Sequence, residues 1–368
     1  MKGFDMALPK TRLRSFFRPE VLAMKGYTPG EQPRRPGGVV KLNTNENPYD
    51  PPRAVLKALK AFDGRRLRLY PDPAAKALKA RLAAAYRWDE EGILVSNGSD
   101  EILAMLFRAS VGKGDKVQCP DVTYSLYPVL AAERGARLKG IKVDSDGGAD
   151  FSRFDPRARL TLFGYPNPPF GNLFPLPDIR RFCGRARGLV LIDEAYADFS
   201  GSSCLDLARR CPNVVVLRTV SKSFSLAGLR LGYAFAHPSV ATQLDKVRDS
   251  YNLDRLALAL GEAAFSPQGL KASAANVRRV VRERERLKAG LRGLGFTVPE
   301  SRANFLWAVP PEAARARKVY LRLKEQGVLV RWFPLPRLQG GLRITVGDRA
   351  GNDRLLKALK RFMGQRSR

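Results

Sequence analysis

The stretch VVVLRTVSKSFSLAGLRLG, Val214–Gly232, decides the fold. Its beginning, Val214–Leu217, is apolar throughout, which is typical of a strand buried on both faces of a parallel sheet. Lys222 follows just past the end of this strand. Ligands of open α/β sheets bind outside the carboxyl ends of the strands, so the pattern predicts that Lys222 faces a ligand site.

The residues around Lys222 suit a phosphate beside a reactive carbonyl. A lysine in partly dry surroundings can lose its proton and attack a carbonyl carbon. Thr219, Ser221 and Ser225 contribute hydroxyls, and Arg230 contributes a fixed cation. This combination favours pyridoxal phosphate as the ligand. A solvated loop is the alternative explanation of the same residues.

A second buried strand lies upstream in GLVLIDEAYADF, Gly188–Phe199, and it ends in acidic residues. Asp193 is a candidate for the carboxylate that keeps the ring nitrogen of pyridoxal phosphate protonated. Tyr196 is a candidate for the phenol near the 3-oxygen of that ring. An aspartate that caps the next helix is the alternative, and it explains Asp193 but not its pairing with Lys222.

A turn that could bind an anion occurs nearer the N-terminus. The pattern predicts a strand over Gly92–Ser96, a tight turn at Gly98, and a helix that Ser99 and Asp100 cap and that runs through Ala109. A strand, a glycine turn and a helix start present free N–H groups to an anion. The Gly98, Ser99 and Asp100 backbone is therefore the candidate phosphate cradle, although such turns also occur without ligands.

Composition limits the class of protein. The chain has 368 residues, enough for one large domain and a smaller one. It has no apolar run of membrane-spanning length, and its beginning, MKGFDMALPKTRLRSFF, lacks the apolar core of a secretory signal. Four cysteines without a CxxC pair and a single histidine, His237, predict no metal site. We expect a cytoplasmic protein with structural thiols.

The formal net charge of +30 is extreme. It raises nucleic-acid binding as an alternative, but the basic residues are dispersed through amphipathic helices and no nucleic-acid-binding motif is present. We therefore expect no specific nucleic-acid partner and no membrane partner. A phosphorylated, negatively charged substrate fits the same field.

The two stretches resemble the fold-type I pyridoxal-phosphate aminotransferases, and more narrowly the histidinol-phosphate aminotransferase family. Further matching segments follow the family's order: YTPGEQP (Tyr27–Pro33), KLNTNENPY (Lys41–Tyr49), LYPDP (Leu69–Pro73), SNGSDEI (Ser96–Ile102), PNPPFG (Pro166–Gly171), ANFLW (Ala303–Trp307) and GLRITVG (Gly341–Gly347). Together they cover nearly the whole chain. The strand and helix alternation independently predicts a doubly wound sheet up to Ala236.

The resemblance implies an α/β protein with a three-layer α/β/α large domain, a mostly parallel sheet and a smaller C-terminal α/β domain. We expect an extended N-terminal arm over residues 1–41, with at most one short helix around Pro19–Met24. The large, cofactor-binding domain is predicted over residues 42–255 and the small domain over residues 256–368. The implied assembly is a homodimer with shared active sites.

The resemblance also implies roles for four residues away from the two stretches. Tyr27 lies near the substrate or anchors the arm, and Tyr70 contacts the cofactor phosphate of the neighbouring subunit or packs in a turn. Tyr124 stacks on the pyridine ring. Asn167 is expected to donate to the ring 3-oxygen, although Pro168 occupies the position where the family has its asparagine.

Two arginines lie within apolar strands of the C-terminal part, Arg331 and Arg343, and burying either unpaired would be costly. Each therefore binds a ligand or forms a structural salt bridge. The implied reaction is amino transfer between L-histidinol phosphate and 2-oxoglutarate, a step of histidine biosynthesis, with Lys222 as the catalytic base. An aromatic amino-acid aminotransferase and a threonine-phosphate decarboxylase are the alternatives on the same scaffold.

Overall fold

A computed structural model describes residues 10–33 and 38–364 of the chain. Its strands are β1 (Val40–Lys41), β2 (Ile93–Asn97), β3 (Lys116–Pro120), β4 (Arg137–Ile141), β5 (Leu160–Gly164), β6 (Leu189–Asp193), β7 (Val214–Thr219), β8 (Leu231–Phe235), β9 (Phe305–Ala308), β10 (Val328–Leu329), β11 (Arg331–Trp332) and β12 (Leu342–Thr345). Its helices are α1 (Lys10–Phe16), α2 (Pro19–Ala23), α3 (Arg53–Ala61), α4 (Lys76–Tyr86), α5 (Ser99–Ser110), α6 (Leu126–Glu133), α7 (Leu176–Cys183), α8 (Leu205–Arg210), α9 (Pro238–Asp245), α10 (Arg255–Ala264), α11 (Pro267–Gly293), α12 (Ala316–Glu325) and α13 (Arg349–Gly364).

A seven-stranded sheet in the order β2-β8-β7-β6-β5-β3-β4 forms the centre of the molecule. Its strands run parallel except β8, which is antiparallel to both β2 and β7. Every residue of β5, β7 and β8 is buried, in agreement with the continuous apolar patterns of these strands. The predicted mostly parallel sheet is confirmed.

Helices cover both faces of this sheet, because successive strand residues point to opposite faces. On β7, Val215 and Leu217 pack in one core cluster with α5, α6 and α9. Val214 and Val216 pack in another cluster with α7 and α8. The predicted three layers are therefore present.

A second, smaller layer of sheet contains the antiparallel strands β11-β12-β9 and the parallel pair β1-β10. Their core packs against α11, α12 and α13. The apolar segment Val328–Trp332, which contains Arg331, is divided at Val330 into two strands, because β10 pairs with β1 whereas β11 pairs with β12. The bounds assigned to arm, large domain and small domain stay a prediction, and α10, just past residue 255, packs on α3 and α4.

Two local predictions near the N-terminus are wrong. The arm contains two short helices, α1 and α2, since a short exposed helix leaves no apolar periodicity to detect. The N-cap of α5 is Gly98, not Ser99 or Asp100, which belong to its first turn. Residues 1–9, on which part of the leader prediction rests, lie outside the described residues. Among the described helices, none has the length and apolar composition needed to cross a bilayer.

Candidate active site

A cavity of about 300 Å³ lies at the carboxyl ends of the central strands and is lined by residues of both sheets. One wall, here called the sheet wall, follows strands of the central sheet and comprises Ser99, Asp100, Asp193, Thr219, Ser221 and Lys222. The opposite wall, here called the arm wall, comprises Tyr27, Pro29, Asn45, Arg331, Phe333 and Arg343. Every predicted site residue lines the cavity except Gly98, Ser225, Asn167 and Tyr70.

Lys222 lies just past β7, in the turn that leads towards β8, and its Nζ donates to the carbonyl of Thr44 at 3.2 Å. The ring of Tyr196 is 5.9 Å from the same nitrogen. Burial, reinforced by the nearby positive charge of Arg343, lowers the pKa of Lys222 to about 8. A substantial neutral fraction near neutral pH makes this amine a competent nucleophile and base.

Asp193 is the last residue of β6, and its carboxylate is buried beneath the cavity. The Tyr127 hydroxyl donates to Oδ2 at 2.9 Å, and the Ala195 N–H donates to Oδ1 at 3.0 Å. Burial raises the pKa of Asp193 to about 6, although both hydrogen bonds act in the opposite direction. A buried carboxylate in this state is ready to pair with a cationic ring nitrogen, which would relieve its burial cost.

The start of α5 and the end of the Lys222 turn form an anion cradle. Gly98 has a φ of 76°, and a Cβ at this position would collide with the guanidinium of Arg230. The Gly98 N–H donates to the Arg230 carbonyl at 2.8 Å, which fixes the glycine turn against the arginine. The free N–H groups of the first turn of α5, the helix dipole and this cation therefore converge on one point.

Hydroxyl groups lie beside that cradle. Thr219 Oγ1 donates to Ser221 Oγ at 2.9 Å, and the Ser221 N–H donates to Thr219 Oγ1 at 3.1 Å. The Oγ of Ser225 is buried without a protein partner among the described residues. Ser225 does not line the cavity, so the hydroxyls of this turn that a ligand there could contact are those of Thr219 and Ser221.

Two arginines dominate the arm wall. Arg331 and Arg343 are directly opposite each other on β11 and β12, and no carboxylate pairs with either within the described residues. Arg331 donates to the carbonyls of Thr28 and Pro29, both at 3.2 Å. Arg343 donates to the carbonyl of Asn43 at 2.8 Å, but its buried Nε has no partner in the same part of the chain. Two like charges directly opposite each other destabilise a sheet, and a bound anion would offset that cost, so this pair is suited to bind an anion.

Tyr124 and Tyr27 lie where the two walls approach each other. The Tyr124 hydroxyl donates to Asp100 at 3.1 Å, and its ring meets that of Tyr27 edge-on with centroids 6.0 Å apart. Burial raises the pKa of Tyr124 above its ordinary value. Tyr124 is thus fixed at the boundary between the cradle and the arm wall.

Asn45 is a site residue to which the sequence reasoning assigned no role. Its Nδ2 donates to the Tyr196 hydroxyl at 2.9 Å, and its N–H donates to Thr345 Oγ1 at 3.0 Å. It has a φ of 58°, which asparagine tolerates better than most residues. The sequence feature that could have indicated Asn45 is the cluster of three asparagines in NTNENPY, since asparagine is enriched where φ is positive.

Asn167 is fully buried outside the cavity lining. Its Nδ2 donates to the carbonyl of Val122 at 3.0 Å, and its Oδ1 accepts from Thr123 Oγ1 at 2.6 Å. Pro166, Pro168 and Pro169 line the cavity at this point. The structure therefore does not bring Asn167 to the ligand as the sequence analysis expected, because its amide already satisfies the neighbouring loop.

Tyr70 lies away from the cavity of its own chain. Its side chain is 77% exposed, and its ring stacks on that of Tyr251 with centroids 4.4 Å apart. Gly98, which is also outside the cavity lining, is the N-cap of α5 and contributes only its backbone to the cradle. The predicted contact of Tyr70 with a neighbouring subunit stays a prediction.

Comparison with known proteins agrees with this geometry. A family model described as aminotransferase class I and II matches residues 37–359. Proteins named histidinol-phosphate aminotransferase from Microcystis aeruginosa and Geotalea uraniireducens are each 43% identical to the chain; the alignments cover 92% and 93% of it and 96% and 98% of the relatives. The crystal structure of histidinol-phosphate aminotransferase from Sinorhizobium meliloti in complex with pyridoxal-5'-phosphate has a TM-score of 0.85 at 24% identity, covering 95% of this chain and 98% of that one.

The layered sheet and the lysine at the ends of its strands define an aminotransferase of fold-type I. The chain belongs to the class I and II aminotransferase family. Within that family it is similar to the histidinol-phosphate aminotransferases over more than nine-tenths of its length. The predicted resemblance, enzyme class and pyridoxal-phosphate cofactor are confirmed by these findings together.

Proposed function

We propose that this protein transfers an amino group between L-histidinol phosphate and 2-oxoglutarate, a step of histidine biosynthesis, and that it uses pyridoxal 5'-phosphate as its cofactor. One observation carries the proposal. The cavity sets a lysine of lowered pKa, Lys222, between a buried carboxylate on the sheet wall and two arginines without carboxylate partners among the described residues of the arm wall. The names of the relatives at 43% identity support the choice of substrate.

The residues present fit the cofactor. The cradle formed by Gly98, the first turn of α5 and Arg230 would hold its phosphate, with the hydroxyls of Thr219 and Ser221 beside it. Asp193 would pair with the ring nitrogen, and Tyr124 and Tyr196 would contact the ring. When bound, pyridoxal phosphate supplies an electron-poor ring that withdraws electrons from the substrate Cα.

Lys222 is proposed to act twice in the reaction. Its Nζ would hold the cofactor covalently until the amine of the substrate takes its place. The freed amine then carries the proton away from the substrate Cα. A pKa near 8 suits the second role, because efficient general bases have pKa values close to the working pH.

Arg331 and Arg343 are proposed to bind the anionic end of each substrate. Histidinol phosphate has a phosphate monoester with close to two negative charges near neutral pH, and glutamate has an α-carboxylate with one. Two cations side by side match the dianion best, and the Nε of Arg343 is left without a partner among the described residues. Tyr27, edge-on to Tyr124, would close the site from the arm.

We further propose a homodimer that works in the cytoplasm. Exposed apolar residues lie around Tyr70 and form a patch that a second copy would cover: Leu67, Leu69 and Tyr251. The same surface would bring Tyr70 to the partner's cofactor phosphate. The cysteines among the described residues are free thiols, which suits a reducing compartment.

Three alternatives are not favoured by the names of the relatives: an aromatic amino-acid aminotransferase, a threonine-phosphate decarboxylase and a nucleic-acid-binding protein on this fold. A panel of amine donors separates them. Purified protein is incubated with 2-oxoglutarate and L-histidinol phosphate, L-phenylalanine or L-threonine phosphate, and glutamate and carbon dioxide are measured. We expect glutamate from histidinol phosphate at the highest kcat/KM. A preference for phenylalanine, or the release of carbon dioxide from threonine phosphate, would overturn the substrate assignment. A colourless protein that acts on none of the three donors would overturn the proposal that the protein is an enzyme.

A further inference from the structure

A group of polar side chains lies behind the sheet wall without lining the cavity. It consists of Glu194, Asp198, Ser203, Arg218 and Ser223 and is here called the rear network. The side chain of Glu194 is fully covered, and that of Arg218 is 8% exposed. Charges so deeply covered require closely fitting partners, which makes the arrangement geometrically specific.

Arg218 is the centre of the rear network. Its Nε and Nη2 donate to Glu194 Oε2 at 2.9 and 2.6 Å, and its Nη1 donates to Asp198 Oδ1 at 3.1 Å. Ser203 Oγ accepts from Arg218 Nη2 at 3.0 Å and donates to Glu194. One guanidinium therefore joins two carboxylates that come from the segment following β6.

Ser223 connects this group to the turn that carries the lysine. Its hydroxyl donates to Asp198 Oδ2. Its carbonyl accepts from Ser273 Oγ of α11 at 3.1 Å, and the carbonyl of Lys222 accepts from Asn47 Nδ2 at 3.0 Å. The peptide units on both sides of Ser223 are therefore held by side chains from two distant parts of the chain, and its hydroxyl is held by a third.

Members of the rear network alternate in sequence with residues of the cavity. Within β7, successive residues point to opposite faces, which places Arg218 behind the wall and Thr219 in front of it. At the end of β6 and in the turn after β7, Asp193 and Glu194, and Lys222 and Ser223, are adjacent pairs of one cavity residue and one network residue, so a bond to the network residue holds the main chain of its neighbour.

We propose that Asp198 and Ser223 are positioning residues for the amine of Lys222, acting through the main chain of the turn. This inference rests on the role proposed for Lys222. The hydroxyl of Ser223 ties the turn to Asp198, which Arg218 in turn holds against the buried Glu194. Without that bond the turn loses its side-chain tie to the rear network, and the Nζ of its lysine is less precisely directed. Misplacement by about 1 Å is enough to slow a reaction about 100-fold, so a partial loss of direction is measurable.

The rear network offers a matched control. Ser203→Ala and Ser223→Ala each remove one hydroxyl that bonds the network, but the sequence neighbours of Ser203 do not line the cavity. We expect both variants to lose a few degrees of Tm. In Ser223→Ala, kcat and the rate at which apo-protein covalently captures pyridoxal phosphate, followed by absorbance, fall about tenfold. Ser203→Ala keeps both rates, and the KM for 2-oxoglutarate stays unchanged in both variants.

A second variant acts on the same bond from the other side. Asp198→Ala removes the acceptor at a position whose side chain is 32% exposed, so folding should tolerate it even where Ser223→Ala fails. The double variant should be no slower than the slower single variant, because both changes break one bond.

Equal capture rates in the Ser223→Ala, Asp198→Ala and wild-type proteins would overturn the inference, as would equal losses in Ser203→Ala and Ser223→Ala. Borohydride reduction of wild-type protein and peptide mapping keep the two proposals apart. A label on another lysine would end the role proposed for Lys222. A label on Lys222 with unchanged capture by the variants would end only the inference about Asp198 and Ser223.

Discussion

The sheet wall and the arm wall of the cavity are built in different ways. The sheet wall consists of residues that end or closely follow strands of one hydrogen-bonded sheet, so that each side chain is placed by a few residues of local sequence. The arm wall joins segments about 300 positions apart, as where Arg343 donates to the carbonyl of Asn43. The groups proposed to react are thus on rigid strand ends, whereas the groups proposed to recognise substrates depend on contacts between segments.

The two walls also differ in charge. The sheet wall combines a lysine with one buried carboxylate, Asp193, and with hydroxyls, which suits bond making and proton transfer. The arm wall presents Arg331 and Arg343 without a carboxylate partner in the part of the chain that the structure describes. We therefore expect sheet-wall changes to abolish the reaction and arm-wall changes to alter the choice of substrate.

The largest effect is expected at the centre of the sheet wall. Lys222→Ala removes the covalent nucleophile and the proton carrier together, so transamination should fall by at least about 1,000-fold, while the phosphate cradle still binds pyridoxal phosphate. Single-turnover rates and equilibrium dialysis with the cofactor measure the two properties. Lys357→Ala, at an exposed position of α13, is the matched control and should behave as wild type. Activity retained in Lys222→Ala would remove the distinction between the walls.

The sheet wall could be predicted from sequence because its signals are local. An apolar run, a hydroxyl-rich turn and one lysine placed Lys222, and the second strand placed Asp193 in the same way. The glycine turn was recognised too, although the cap was assigned one residue late because Gly98 provides the positive φ while its neighbours already belong to the helix.

The arm wall could be predicted only in part. Its arginines were recognised because a charge within an apolar strand is unusual. Their position opposite each other depends on the register of β11 and β12, which cannot be determined from the sequence alone. Asn45 received no role for the same reason, since its partners Tyr196 and Thr345 are about 150 and 300 positions away. Asn167 was assigned to the ring 3-oxygen although it lies one position before the family's asparagine, and its amide instead donates to the carbonyl of Val122.

The next effect tests whether the arm wall selects substrates. Arg331→Gln removes one of two cations, so kcat/KM for histidinol phosphate should fall roughly 10- to 150-fold. This corresponds to a loss of about 1.5–3 kcal/mol in transition-state stabilisation. Glutamate, which Arg343 would hold by its carboxylate, should lose much less. Both donors are measured at one fixed salt concentration, because a charge of +30 attracts any anion. Equal losses of kcat/KM for the two donors would make Arg331 a structural residue of the arm wall.

A smaller effect links the two walls through charge. The pKa of Lys222 is lowered first by burial and then by Arg343, so the neutral amine is lost as pH falls below about 8. Covalent capture of pyridoxal phosphate by apo-protein should therefore rise about fivefold between pH 7 and 8 and level off above, whereas a lysine at its ordinary pKa would continue to gain until about 10.5. Arg343→Gln should move the midpoint upward. An unchanged midpoint in that variant would show that the arm wall does not influence the base.

The smallest effect concerns the surface beyond both walls, where Tyr70 is 77% exposed in its own chain. Loss of one hydroxyl in Tyr70→Phe should lower activity about threefold, the cost of one ordinary hydrogen bond. If Tyr70 completes the partner's cradle, a mixed dimer of Tyr70→Phe and Lys222→Ala subunits has one fully wild-type site, because each variant lacks a different half. For an equal mixture and a threefold cost, activity should then rise about twofold as subunits exchange. If Tyr70 serves its own chain, the only site of the mixed dimer that keeps Lys222 also carries the Tyr70→Phe substitution, and confirmed exchange would leave activity unchanged.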